Sequence, residues 1–365
     1  MAGSHEPAQI HARQRQAQEL EPAPRGRSLR GARHAPLRFG THRTPVTPNF
    51  RALGYAYIIA AALLWATIGP AARFALQAGT TPLEISFWRA AIGGLLFALH
   101  AGARGRLRLA RADLPAVAGF ALLGVTIFYW SYFRAVELGG AALAAILLYT
   151  APAWVALTAA LWLGERLTAR KSLAVVLTLA GIALVAFGSG SGVSAGTATS
   201  RVQAIGWGLL SGVAYAAYYL FGKRYFARYD ASTLFAYALP LGALLLLPAV
   251  KFAPKSTTEW LVLLFLALVP TYLAYSLYSI GLARVEATRA ATVATLEPVA
   301  AAALAYVIWG EALRPLGYVG AALVLAGVLV VATERPTQEA VAPPHEGPAP
   351  VALGSDTVVS DTTGV

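Results

Sequence analysis

The sequence predicts an all-α membrane protein with ten transmembrane helices, arranged as two inverted five-helix repeats. Three observations predict this fold class: the composition, a series of uncharged apolar runs, and an internal repeat. Of the 365 residues, 57% are hydrophobic and 13% are charged, whereas soluble domains have about 25% charged residues. Most of the chain is therefore expected to lie in a lipid bilayer.

The apolar runs are long enough to cross a membrane as helices. A helix of about 20 residues spans a hydrocarbon core of about 30 Å, and it satisfies its own backbone hydrogen bonds in lipid. The predicted spans lie near residues 53–76, 81–101, 113–133, 141–163, 168–188, 203–224, 231–251, 259–283, 287–309 and 314–333. Because most connections between them are short, we expect one helical bundle without a separate soluble domain.

The distribution of positive charge predicts the orientation of the chain. Lys and Arg in short loops stay on the cytoplasmic side, and most of the 29 Lys and Arg residues fall in segments that share a side with the amino terminus. The other side keeps Arg73, Arg134, Arg201, Lys251, Lys255 and Arg314. We therefore predict a multi-pass protein of the cytoplasmic membrane with both termini in the cytoplasm.

Three segments outside the spans are predicted to be disordered. Residues 1–52 are basic, rich in Pro and Gly, and show no apolar periodicity, which is typical of a disordered cytoplasmic tail. An organelle transit segment stays open there, but no nucleic-acid partner is expected, because aromatic side chains are not interleaved regularly with the charges. Residues 189–202 are predicted to be a flexible Gly/Ser linker, and the Pro-rich residues 334–365 a second cytoplasmic tail.

The residue types available within the spans exclude much intramembrane chemistry. The chain has no cysteine, its six histidines lie in tails or at a helix end, and no aspartate falls within a predicted span. A disulfide or a thiolate metal site is therefore impossible, and a hydrolase would lack its usual catalytic groups. The chain also lacks a Walker sequence, so ATP is not expected to power it. We expect no cofactor, no metal and no enzymatic activity.

A shift of 146 positions superimposes the second half of the sequence on the first. Pro152 meets Pro298, and the pairs Gly164–Glu165 and Gly310–Glu311 coincide. A duplication of five helices explains this, with repeats at residues 53–188 and 203–333. Because five is odd, the second repeat starts on the opposite side of the membrane. Inverted repeats of this kind are typical of transporters with a substrate site near the midplane.

At these residues the sequence resembles the EamA-type transporters of the drug/metabolite transporter superfamily. The features that carry the resemblance are the paired P-x12-E spans, each followed by a glycine-rich helix, together with "PLEISFWRA" and "LEPV". The resemblance covers roughly residues 53–333 and implies ten helices around a central cavity that move small metabolites across the cytoplasmic membrane, often outward. The long basic amino-terminal tail departs from this pattern.

Two charged residues inside predicted spans are candidate functional groups. Glu297 lies near the bilayer centre, where a charge costs at least about 2.5–3.5 kcal/mol. It could bind an amine or carry a proton, or it could form a buried hydrogen bond that fixes the helix. Arg89 could pair with a helix carboxylate or carbonyls, or it could bind a substrate carboxylate or phosphate. Together they favour a zwitterion such as an amino acid, or an amine.

The repeated motif residues have both structural and functional interpretations. Proline in a helix removes a backbone hydrogen bond and produces a kink, so Pro152 and Pro298 are either packing kinks or cavity-lining hinges. Glu165 and Glu311 follow Gly164 and Gly310 and are expected to open the next helix, where the helix dipole favours a carboxylate.

Aromatic residues recur on matched helix faces. The candidates are Tyr129, Tyr132, Tyr275, Tyr278, Trp65 and Tyr215. Residues three apart share a helix face, so these rings could contact an aromatic or cationic substrate. They could instead form an interfacial aromatic belt.

Small residues such as Gly181, Gly320 and Gly327 are expected to let helices approach closely.

The sequence thus predicts a secondary transporter that exports small polar or amphipathic metabolites by alternating access, with proton coupling through Glu297 as a hypothesis. Its predicted partners are a small-molecule substrate and the lipid bilayer. The alternative function is a non-transporting membrane scaffold or a lipid scramblase.

Overall fold

The computed structural model describes residues 48–188 and 198–334. Within these ranges, ten helices are long and apolar enough to cross a membrane, as the sequence predicts. They are α1 (Phe50–Gln77), α2 (Pro82–Ala103), α3 (Arg111–Gly139), α4 (Ala141–Trp162), α5 (Ala169–Gly188), α6 (Thr199–Tyr225), α7 (Ala231–Ala249), α8 (Thr257–Leu282), α9 (Ala287–Trp309) and α10 (Pro315–Ala332).

Helices α1 and α6 begin within segments that were predicted to be disordered. The helical backbone starts at Pro48 before α1 and at Ala198 before α6, inside the segments that were assigned to the tail and the linker. A proline is compatible with a helical first turn, where its missing N–H is not needed. The rest of the two predicted tails and of the Gly/Ser linker lies outside the described residues.

Contacts between distant loops define two faces of the bundle. The terminal face is the one at which α1 begins and α10 ends, and the other is the opposite face. At the terminal face, Arg228 contacts the Asp113 carboxylate with an N–O distance of 3.2 Å. At the opposite face, Lys255 and Glu84 form a buried ion pair at 2.8 Å. An even number of spans separates the partners of each contact, as the ten-span path requires.

The backbone repeats the sequence duplication in detail. Helices α3 and α8 each contain a π-helical stretch, Ala121–Ile127 and Leu268–Leu273. Helices α4 and α9 each break near mid-length and end at a glycine with left-handed backbone, φ 67° at Gly164 and 69° at Gly310. The predicted fold class, ten helices in two five-helix repeats, is confirmed.

Glycines bring the last helix of each repeat into backbone contact. A Cβ atom on Gly181 of α5 would lie 2.6 Å from the Gly320 carbonyl oxygen and 2.8 Å from the Val324 nitrogen of α10. A Cβ on Gly327 would lie 2.9 Å from the Ala174 carbonyl oxygen. Small residues at helix interfaces allow this close approach in membranes, as was expected for these glycines.

Replacing Gly181 with alanine should destabilise the protein, because the new methyl group meets backbone atoms that cannot turn away. Overpacking of this kind typically costs about 1–3 kcal/mol. Gly206 of α6 is the matched control, since a Cβ there meets nothing within 4 Å. Thermal unfolding of the purified proteins should show a lower midpoint for Gly181→Ala and an unchanged or higher one for Gly206→Ala. Equal midpoints would contradict the packing of α5 against α10.

Candidate binding cavity

A cavity of about 610 Å³ occupies the middle of the bundle. Every described span except α7 and α10 contributes to its lining. It runs from mid-span to the opposite face, where Arg73, Ala141 and Glu311 lie at its mouth. The lining residues include none from the terminal-face loops, so the cavity reaches one face of the bundle.

The helices that line the cavity break where they meet it. In each of α1, α4 and α9 a threonine hydroxyl donates to the carbonyl oxygen three residues earlier: Thr67 to Leu64 at 2.6 Å, Thr150 to Leu147 at 2.6 Å and Thr295 to Thr292 at 2.5 Å. A proline follows two or three residues later in every case, at Pro70, Pro152 and Pro298. Each hydroxyl thus adds a hydrogen bond to a carbonyl that also accepts the N–H of the same threonine, in the turn just before the proline interrupts the helical hydrogen bonds.

Arg89 of α2 is the cation of the cavity. Its side chain is 6% exposed, its Nε donates to the Thr271 hydroxyl at 3.2 Å, and its guanidinium carbon lies 5.9 Å from the centroid of the Tyr129 ring. Thr271 is itself held in the π-helical part of α8 by donating to the Leu266 carbonyl at 2.8 Å. Arg89 forms no ion pair with a carboxylate of the described residues, so its charge is available to the cavity.

Glu297 of α9 is the carboxylate of the cavity. It lies in the first turn after the α9 break, it is half-buried, and it lines the cavity wall. Tyr149 and Arg89 line the same cavity. Its counterpart in the first repeat, Ala151, is 1% exposed and does not line the cavity. The duplication therefore supplies the position, and only the second copy carries the charge.

The aromatic candidates fall into two groups. Trp65, Tyr129, Tyr132, Tyr215 and Tyr275 line the cavity.

Tyr278 does not line the cavity, although it shares a helix face with Tyr275. It is fully buried, and its ring lies 5.3 Å from Trp65 and 5.5 Å from both Tyr218 and Tyr219, measured between ring centroids. Tyr278 is one helical turn nearer the terminal face, so it belongs to an aromatic floor beneath the cavity rather than to its wall.

The repeated proline and glutamate positions differ between the two copies. Pro298 lines the cavity, whereas Pro152 is buried and does not. Both glutamates were expected to open the helix that follows them. Neither does, because those helices begin at Ala169 and Pro315. That prediction is wrong, since both carboxylates reach partners on other helices instead.

Glu165 caps the start of α9 at the terminal face. Its carboxylate accepts hydrogen bonds from the Ala287 nitrogen at 2.6 Å, the Thr288 nitrogen at 3.2 Å and the Thr288 hydroxyl at 2.8 Å. Glu311 instead forms an ion pair with Arg73 at the cavity mouth. The Arg73 guanidinium carbon also lies 4.4 Å from the centroid of the Trp309 ring.

An ion-pair network closes the terminal face around the Glu165 cap. Glu286 accepts from Lys171 at 2.9 Å and from Arg289 at 2.7 Å, and Arg289 also contacts the Glu334 carboxylate at 2.9 Å. Although burial favours the neutral acid, the hydrogen bonds from Lys171 and Arg289 hold the pKa of Glu286 below its usual range. Glu286 is therefore ionised at neutral pH, and this closure is intact there.

Sequence reasoning missed Tyr149, Arg73 and Trp309. Tyr149 is 8% exposed, lies at the α4 break and lines the same cavity as Glu297. Its position directly before the Thr-Ala-Pro stretch that produces the break could have identified it. Arg73 was counted only as a loop charge, and nothing in the sequence pairs it with Trp309 or Glu311.

The described residues offer no group of three or more His, Cys, Asp or Glu side chains that could hold a metal ion.

The fold and the cavity together define a class, the multi-pass membrane transporters built from inverted helical repeats. The chain belongs to the EamA-like transporter family, whose model matches residues 52–187 and 202–333. The family resemblance read from the paired motifs is confirmed.

Two relatives agree with this assignment, and one solved structure agrees with the fold. An uncharacterized transporter of Archaeoglobus fulgidus is 30% identical over 77% of this chain and 97% of its own length. A protein of Streptantibioticus cattleyicolor named "Probable terminal-alkyne amino-acid exporter" is 27% identical over 75% of this chain and 91% of its own. A crystal structure of another protein superimposes with a TM-score of 0.66 at 24% identity, covering 77% of this chain and 96% of that one, and so supports the fold. Transporter relatives also agree with the prediction that the chain is not an enzyme.

Replacing Thr271 with valine should destabilise the protein, because it removes the acceptor of the buried Arg89 Nε and the donor to the Leu266 carbonyl. Leaving a buried polar group without a partner costs about 1–3 kcal/mol. The control is Thr333→Val, since Thr333 is exposed and bonds only within its own helix. Thermal unfolding should distinguish the two variants, and equal losses would show that Thr271 does not support Arg89.

Proposed function

We propose that this protein is a secondary transporter that exports small polar or amphipathic metabolites across the cytoplasmic membrane by alternating access. The observation that carries the proposal is the cavity, which places Arg89 and Glu297 within aromatic and alanine-rich walls. Its volume of about 610 Å³ is in the range of sites for small molecules, about 300–1,000 Å³.

The orientation follows from the charge of the loops. Arg104, Arg106, Arg108 and Arg111 flank the connection between α2 and α3 at the terminal face. Loops rich in Lys and Arg stay in the cytoplasm, so the terminal face is cytoplasmic. The cavity then faces outward, in the state that releases an exported substrate.

The two charges favour a zwitterion, an amino acid, as the substrate, with a simple amine as the other candidate. Arg89 provides donors for a carboxylate, and Glu297 accepts from an ammonium group. The rings of Tyr129, Tyr215 and Tyr275 give the walls an apolar and π-rich surface for the rest of the molecule. The name of the Streptantibioticus relative, an amino-acid exporter, supports the same substrate class.

Proton coupling through Glu297 completes the proposed cycle. A carboxylate at mid-span is costly when it is charged and unpaired, so it is stable either protonated or paired with an ammonium group. In the outward-facing state the substrate ammonium leaves and a proton from outside replaces it. In the inward-facing state the proton leaves to the cytoplasm and a new substrate binds. One proton then enters for each substrate molecule exported.

Glu297→Gln should abolish the proton dependence of transport and slow the export of amine-bearing substrates by about tenfold or more. The reason is that a hydrogen bond to a charged group contributes about 1.5–3 kcal/mol. Mass spectrometry would compare metabolites inside and outside cells carrying wild type, the variant or an empty vector at matched expression. The compounds that it identifies would then be tested in proteoliposomes with and without a proton gradient.

The matched control for this experiment is Glu137→Gln. Glu137 lies on the cavity-lining helix α3, but it is 61% exposed and pairs with Arg134 outside the cavity. It should export at the wild-type rate. Wild-type export with an unchanged proton response in Glu297→Gln would refute the role of Glu297. Identical metabolite profiles in all strains would contradict export and favour the scaffold or scramblase function.

A further inference from the structure

The two copies of the repeated glutamate are in different states. Glu165 binds the amino terminus of α9 and so holds the terminal face closed. In the repeat alignment, which shifts the chain by 146 positions, Glu165 corresponds to Glu311. Ala287 and Thr288 at the start of α9 correspond to Ala141 and Ala142 at the start of α4. Glu311 and the start of α4 are thus the repeat counterparts of a contact that the protein already makes.

At the opposite face this counterpart contact is open. Ala141 and Ala142 line the same cavity as Glu311, and Glu311 is ion-paired with Arg73 instead. The first N–H groups of a helix have no partner within the helix, so a carboxylate is the kind of group that the start of α4 can bind. The open face of the cavity therefore coincides with the copy of this contact that is not formed. We call the contact of Glu165 with the start of α9 the terminal-face latch, and its repeat counterpart between Glu311 and the start of α4 the opposite-face latch.

The backbone shows that the two latches have the same local build. Glu165 and Glu311 each follow a left-handed glycine, with φ 67° and 69°. In each of these turns the glutamate N–H donates to a carbonyl six residues earlier, that of Ala159 at 3.1 Å and that of Ala305 at 3.4 Å. Both carboxylates are thus carried on equivalent turns.

We infer that Glu311 is the latch of the inward-facing state: it leaves Arg73 and caps the amino terminus of α4 when Glu165 releases α9. This inference rests on the alternating access proposed above and assigns its two gates to the two copies of one carboxylate. The pair of Glu311 with Arg73 is easily exchanged, because the two side chains are 56% and 40% exposed and exposed ion pairs are weak.

The two latches differ in strength, which sets the resting state. The terminal-face latch also uses the Thr288 hydroxyl and the Glu286 carboxylate with its partners Lys171 and Arg289. The corresponding positions at the opposite face are Ala142, Gly140, Gly317 and Leu143. None of these can supply a side-chain hydrogen bond. The outward-open state is therefore favoured when no substrate is bound.

Spin-label distances can measure the two gates directly, because the chain has no native cysteine. One pair of introduced cysteines, Glu137→Cys with Ala312→Cys, spans the opposite face. A second pair, Arg170→Cys with Ala283→Cys, spans the terminal face. All four positions are exposed. Each pair is measured in liposomes in the wild-type background and with Glu165→Gln, Glu311→Gln, and both. Asp230→Asn, which breaks an exposed terminal-face ion pair outside the latch, is the control.

Glu165→Gln should lengthen the terminal-face distance and shorten the opposite-face distance in a larger share of molecules, a population change of about fivefold. Adding Glu311→Gln should reverse that change, and Asp230→Asn should change neither distance. A glutamine side chain can still accept hydrogen bonds from the helix N–H groups. The variants Glu165→Ala and Glu311→Ala, which cannot, therefore repeat the test.

If Glu165→Gln changes the two distances and adding Glu311→Gln or Glu311→Ala does not reverse that change, Glu311 is not the latch of the inward-facing state. Alternating access itself would still be supported. Distances that never change, in any variant or at any pH between 5 and 8, would contradict alternating access itself and the latch with it.

Discussion

A backbone group that has no partner within its own helix cannot face lipid, and this constraint determines where the helices of this protein can break. Helices α1, α4 and α9 lose their regular hydrogen bonds at Thr67, Thr150 and Thr295, all beside the cavity. The breaks and the cavity therefore depend on each other. The cavity tolerates the irregular backbone, and the irregular backbone bends the helices that enclose it.

The inverted duplication explains why the two halves share a backbone and differ in chemistry. Features that the fold needs occur twice, such as the π-helical stretches of α3 and α8 and the left-handed glycines after α4 and α9. The charges of Glu297 and Arg89 in the cavity occur once. Glu297 has Ala151 as its counterpart, and Arg89 has no equivalent arginine in the second repeat. A symmetric frame thus carries an asymmetric site, as the proposed zwitterionic substrate would require.

The ten spans, the repeats and the two intramembrane charges could be predicted, because the cost of polar groups in lipid is a property of the sequence itself. The partners of those groups could not. Tyr275 and Tyr278 lie one helical turn apart, so which of them faces the cavity depends on how deep the cavity extends into the bundle. The sequence does not determine that depth. The contact between Glu165 and α9 joins residues more than a hundred positions apart, so no local pattern could indicate it.

The accessibility of the cavity from each side of the membrane tests the central claim most directly. A single cysteine at Ala305, in the cavity wall, can be treated with a membrane-impermeant maleimide in intact cells and in inside-out vesicles. The account predicts faster alkylation from outside the cell, and slower alkylation when an exported metabolite is present in excess. Faster alkylation from the cytoplasmic side, or a rate that no exported metabolite changes, would contradict the assignment of this cavity as an outward-facing transport site.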